Sequence, residues 1–167
     1  MKSFKTILLL TLVTTSFLMN SCGVLVKAKA RKSITEENGA IPPDLGKENT
    51  TMIFFLYHRS YNRYLKKNAK KFYKDDYIFL TEEEFTKNET YRDISKYRYI
   101  FKFDYIHYTV PDFNSPSFEK RRRVKKFYIV DRKTGITYKS KMTSGLWSKL
   151  QKVYFEKLSE KITSNRR

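Results

Sequence analysis

The sequence predicts an α/β (α+β) fold: a two-layer sandwich with a mixed sheet of four to five strands and two long helices packed mainly on one face. Three observations carry this. Thr51 to Tyr57 is an almost unbroken apolar run, as in a strand buried on both faces. Tyr61 to Tyr73 and Leu146 to Ile162 bear apolar stripes at helical spacing. Tyr97 to Thr109 alternates with a period of two, as a strand with one core face does.

The elements follow in order. After the first strand, Ser60 is placed to cap a helix in which Tyr61, Tyr64, Leu65, Ala69 and Phe72 share a stripe. Lys70 and Lys71 suit the negative end of that helix. Tyr77-Ile78-Phe79-Leu80 is a second short strand, so strand, helix and strand read as a parallel crossover. Thr81 and Glu84 have capping-box spacing for a short helix, which accounts for Glu82-Glu83-Glu84 without a metal. In the long strand, Tyr97, Tyr99, Phe101, Phe103 and Tyr105 take the core face, while Arg98, Lys102 and Asp104 take the other. Val110 to Phe118, with Pro111 and Pro116, is a loop. Val124 to Val130 and Ile136 to Lys141 form a hairpin around Asp131-Arg132-Lys133-Thr134-Gly135, with Gly135 at positive φ. Ser144 is placed to cap the last helix, whose stripe is Leu146, Leu150, Val153, Tyr154, Leu158 and Ile162.

Ahead of this domain, Lys2 and Lys5 precede an uncharged stretch from Ile7 to Met19. It is shorter than the roughly 20 apolar residues of a spanning helix and fits the apolar region of a signal peptide. The chain divides into a signal segment, 1–21, a basic and Pro-containing tether, 22–49, and a single domain, 50–167. Lys27, Lys29, Arg31 and Lys32 make the tether basic, and Pro42-Pro43 favours an extended path. The single Cys excludes an intrachain disulfide and a Cys-based zinc site.

Met19-Asn20-Ser21-Cys22 resembles the lipobox of bacterial lipoproteins, with an apolar residue three before the Cys and a small residue directly before it. The resemblance implies cleavage before Cys22, a diacylglyceryl thioether on its sulfur, and acylation of its new amino group by a fatty acid such as palmitate. Membrane lipid, reached through acylated Cys22, is the first expected partner. Some surface-bound lipoproteins of Bacteroidota carry acidic residues soon after the Cys. The basic run here places the domain on the periplasmic side of an outer-membrane anchor.

The net charge is +18, with 35 Lys and Arg against 17 Asp and Glu. Loss of the signal segment removes only Lys2 and Lys5 and no acid, leaving a net charge of +16. Such a charge ordinarily points to nucleic acid, which export excludes as the expected partner. Part of it reflects a Lys-, Asn-, Ile- and Tyr-rich composition of the kind AT-rich coding gives. That bias does not account for Arg121-Arg122-Arg123 followed by Lys125 and Lys126. These five residues are the candidate anion- or partner-binding set, since guanidinium forks suit phosphate and carboxylate. The plain alternative is a charged strand edge that resists aggregation.

The order of elements resembles the small α/β domain shared by several envelope lipoproteins: the TolB amino-terminal domain, the activator lipoproteins of penicillin-binding proteins, and the curli-secretion lipoprotein. The matching stretches are Met52 to Leu56, Tyr64 to Phe72, Asp76 to Phe85, and Tyr97 to Phe101. The closest word is Ile129-Val130-Asp131-Arg132-Lys133-Thr134-Gly135. The resemblance implies the fold class and no binding residue, because Tyr57-His58-Arg59 stands where that group has Pro-Phe.

No catalytic set emerges. The two His, His58 at the end of the first strand and His107 late in the long strand, lack acidic partners in sequence. Three residues apart on one strand, Asp104 and His107 face opposite sides. Five Gly leave little room for phosphate-cradling loops. No cofactor and no metal is expected. The expected function is that of a lipid-anchored, non-enzymatic protein-binding or assembly module in the periplasm, with an envelope protein as its partner. The alternative is an anion-binding module for phospholipid or lipopolysaccharide through the basic edge. An envelope enzyme is the third reading and would rest on His58 or His107.

Overall fold

The computed structural model describes residues 23–111 and 119–167. The signal segment, Cys22, and Phe113 and Phe118 of the Pro-containing loop lie outside the described residues. A first helix, α1, runs over 23–33. It is followed by β1 (Met52–Phe55), α2 (Arg59–Phe72), β2 (Tyr77–Leu80), α3 (Glu82–Lys87), a 3₁₀ turn (Glu89–Arg92), β3 (Tyr99–Pro111), β4 (Glu119–Asp131), β5 (Thr137–Lys139) and α4 (Trp147–Asn165).

The sheet order is β2-β1-β3-β4-β5, with β1 parallel to β2 and β3, and the rest antiparallel. This is the expected mixed sheet. All of β1 is buried, and its period of two explains how. Met52 and Phe54 enter the larger core under α2 and α4; Ile53 and Phe55 enter a smaller one with Leu80, Tyr97 and Ile100, covered by Phe85 and Tyr91. Phe54 is the hub of the larger core, within 6 Å of the Tyr73, Phe101 and Phe155 ring centroids.

The helices dock through apolar stripes and buried polar bridges. Asn68 of α2 donates to the Gln151 side chain at 2.9 Å and to the Ser148 carbonyl at 3.1 Å. Ser159 of α4 donates to the Phe72 carbonyl at 2.8 Å and accepts the Lys74 amide at 2.9 Å, closing the end of α2. The capping box is present at α3. Gly135 has φ +73°, as its turn requires.

Two helix starts differ from expectation. His58, not Ser60, caps α2, its ring accepting the Tyr61 amide. Ser144 does not cap α4; it accepts the Leu146 amide at 3.0 Å, and α4 begins after Leu146 without a side-chain cap.

The larger correction concerns residues 22–49, expected to be a tether. From 23 onward this stretch is structured, and it covers the outer side of α4. Ala30, Ile34, Ala40, Ile41 and Leu45 are buried in the main core. Tyr154 donates to the Ala40 carbonyl. Asn165 donates to the carbonyls of Pro43 and Leu45 at 2.9 and 2.8 Å. Pro42-Pro43 does not extend the chain: the Pro42 carbonyl accepts the Leu45 amide at 3.3 Å, and the run of turns this opens lies on α4 rather than in solvent. Gly46 makes this approach: it has φ +91°, and a Cβ there would stand 2.7 Å from Ile162 Cα. The domain therefore includes this stretch and does not begin at 50.

Candidate functional site

β3 pairs with β1 only at Ile100 and Phe101, and β4 pairs with β5 only from Tyr128 to Val130. The β3–β4 pairing continues to Pro111 opposite Glu119. Beyond Asp104 the two strands thus form a ribbon without sheet neighbours, which extends about 24 Å at roughly 3.4 Å per residue. The ribbon is rooted by the buried pair Phe103 and Phe127.

Alternation divides the basic run between the two faces of this arm. Tyr105 stands opposite Lys125, His107 opposite Arg123, and Thr109 opposite Arg121, all on the helix side. Asp104 stands opposite Lys126 and Tyr108 opposite Arg122, on the other side. The structure therefore brings Arg121, Arg123 and Lys125 together and sets Arg122 and Lys126 apart from them. On the far side Asp104 binds Lys139 at 2.9 Å and the Tyr128 hydroxyl at 3.0 Å. Among the described residues, no carboxylate lies within ion-pair distance of Arg121, Arg122, Arg123, Lys125 or Lys126.

Lys125 is the unusual member. It is only 8% exposed. Its Nζ lies 5.1, 4.9 and 4.8 Å from the ring centroids of Phe103, Tyr105 and Trp147. Aromatic faces, rather than an acid, hold its charge. Arg123 stacks its guanidinium 4.8 Å over Tyr105.

These residues border a cleft of about 360 Å³, completed by His58, Val124, Ser144, Gly145 and Trp147. The starts of α2 and α4 meet here, so two helix N-termini add positive potential. His58 Nδ1 accepts the Tyr61 amide at 3.3 Å, which leaves Nε2 as the protonated nitrogen of the neutral ring. Nε2 lies 3.5 Å from the Tyr105 hydroxyl. Burial, and then the charges of Lys125 and Arg123, hold His58 below its usual pKa. No carboxylate lines the cleft. Its chemistry is that of donors and positive charge.

A larger cleft of about 800 Å³ runs along α3 and is lined by Thr81, Glu83 and Glu84. Its polar groups are largely paired locally: Thr81 donates its amide to Glu84 at 2.7 Å, Glu83 pairs with Lys87, and Asn88 accepts the Thr90 amide at 3.0 Å. Size alone therefore does not mark the site. Among the described residues no group of three His, Cys, Asp or Glu side chains is placed to hold a metal ion. His107, exposed on the arm opposite Arg123, is not joined to His58.

Sequence reasoning missed His58 and Trp147 as members of the site, because both come from helix starts distant from the basic run. The one signal was Trp147 itself, the single Trp of the chain. Arg98, assigned to the exposed side of the long strand, is instead buried and fully engaged. Its guanidinium donates to Asp131 at 2.9 and 2.8 Å and reaches Glu48 at 3.3 Å.

Comparison of the chain with protein-family models, with curated proteins and with solved structures gave no match. Among the described residues no helix is long and apolar enough to cross a membrane.

Proposed function

We propose that this chain is a lipid-anchored, non-enzymatic binding module of the bacterial cell envelope, attached through Cys22 at the periplasmic face of the outer membrane. The observation that carries the binding role is the arm: a projecting two-stranded ribbon with Arg121, Arg123 and Lys125 on one face and no acid to neutralise them among the described residues. A ribbon without sheet neighbours has little stability of its own, and contact with a partner supplies the missing face. Charge complementarity selects an acidic surface on an envelope protein.

The anchor reading rests on the lipobox-like residues ending at Cys22, and the structure adds a consequence. With α1 starting at 23, an anchored chain has no spacer, and its domain sits directly on the bilayer. Val24 and Leu25, 62% and 66% exposed, and the neighbouring Lys27, Lys29 and Lys32 then lie at the headgroup level. The domain's kinship with the small α/β domain of envelope lipoproteins belongs to the same proposal.

Cell fractionation tests the anchor. The wild-type chain is expected in the membrane fraction after a high-salt wash, and Cys22→Ala in the soluble fraction. A Cys22→Ala chain that stays with washed membranes contradicts the reading. A second reading, recognition of an anionic lipid headgroup, is favoured by the basic cleft at the root of the arm.

A further inference from the structure

We infer that the cleft bordered by His58, Tyr105, Arg123, Lys125, Ser144 and Trp147 is a binding site for a phosphate monoester. Three independent features converge on it. Lys125 is more than nine-tenths buried, lines the cleft, and meets no carboxylate or hydrogen-bond acceptor among the described residues. Its stem is buried among Phe103, Tyr105 and Trp147, but its nitrogen keeps solvent contact where it meets the cleft, so an anion there can supply the counter-charge that the rings do not. Arg123 brings a second cation to the same cleft, its fork suited to phosphate oxygens.

The second feature is the start of α4. Leu146 makes no side-chain cap, and the first intrahelical bonds are those of the Lys149 and Leu150 amides to the Leu146 carbonyl. The amide of Trp147, which lines the cleft, therefore remains available, with the helix dipole behind it. The third is His58, fixed by its capping bond so that Nε2–H is a donor. Ser144 accepts the Leu146 amide and keeps its own proton to donate.

Two fixed cations, several neutral donors and no lining acid match a dianion with several oxygens better than a single carboxylate. The cleft, at about 360 Å³, is larger than a phosphate group alone. Its remaining wall is the rings of Tyr105 and Trp147, which suit the organic part of an ester. The chemistry fits a phosphorylated small molecule and a phosphomonoester lipid headgroup alike. The inference rests on the arm's basic face as a binding surface and not on the anchor.

Trp147 is the only Trp, so its fluorescence reads the cleft directly. The full chain, in a non-ionic detergent, is titrated with glycerol 3-phosphate and with dihexanoyl phosphatidic acid. Saturable change with either is expected, weakened about tenfold or more in Arg123→Gln and in Lys125→Met. Arg123 is exposed, so its variant keeps the core intact; a thermal melt confirms this for both. Tighter binding of the lipid assigns a membrane source, and equal binding a soluble one. Absence of saturation with both ligands, or saturation unchanged in both variants, overturns the site even where the arm still captures a protein partner.

Discussion

A chain shortened to begin at residue 50 is expected to lose cooperative unfolding and to bind hydrophobic dyes, while a chain beginning at 23 melts in one transition. The removed stretch is read in sequence as a tether, yet it buries Ile34, Ile41 and Leu45 against α4. Each such side chain contributes about 1.5–3 kcal/mol. Together they approach the roughly 5–15 kcal/mol of a whole domain. The truncation also bares Tyr154 and Ile162, which the segment covers. Gly46→Ala makes the same point at one residue. The positive φ costs about 1–3 kcal/mol for a non-glycine residue. The clash with Ile162 adds about 1–3 kcal/mol of overpacking. A shortened chain that melts cooperatively at the same temperature would return the segment to tether status. The measurement is differential scanning calorimetry of the two chains.

Asp131→Ala is expected to cost about 3–5 kcal/mol, the range for breaking a buried ion pair by removing one partner. Arg98 and Asp131 side chains are 4% and 2% exposed and meet through two hydrogen bonds. Asp131 also accepts the Lys133 amide at 3.0 Å, which shapes the turn before Gly135. After the substitution, Glu48 at 3.3 Å and Asp44 at 3.5 Å are the carboxylates left to Arg98, and both are half-exposed. Arg98→Met with Asp131→Leu should recover much of the loss, because it removes both charges. The pair also sets an acid limit. Burial raises the Asp131 carboxyl, but the Arg98 fork, the Lys133 amide and Thr134 outweigh it and hold its pKa below the usual range. A carboxylate depressed in the fold stabilises it fully above its unfolded value. That stability is lost as pH falls through the folded value. Denaturant melts of the wild type should therefore weaken below about pH 4, and those of the double variant less so.

The parts of the fold that were legible are those with a clean period. Met52 to Phe55, the stripe of α2, the alternation of β3 and the Thr81–Glu84 box each speak through local spacing. Residues 34–49 carry no period. Their apolar members are scattered among Pro, Gly and charges, and their partner is a second face of α4. The one hint lay in α4, where Phe155 and Gln151 widen the buried arc beyond a single stripe. Arg98 was misassigned because alternation decides a face and not a partner. It precedes β3, where Asp131 arrives from the end of β4. The basic run was legible as composition, but its division between two faces follows only once the β3–β4 register is known. His58 reached the site by capping a helix, a role its position at a strand end concealed.

The helix-side face of the arm is the binding surface in the proposed function. In-cell photo-crosslinking decides whether that face makes the contact. A photoreactive side chain is placed at Thr109, which faces with Arg121 on the exposed arm, or at Lys67 on the solvent side of α2. One dominant envelope-protein adduct is expected from position 109, none from position 67, and loss of the adduct when Arg121→Glu and Arg123→Glu are introduced together. Equal adducts from both positions, or an adduct from position 109 that survives the charge reversal, would contradict that role for the face.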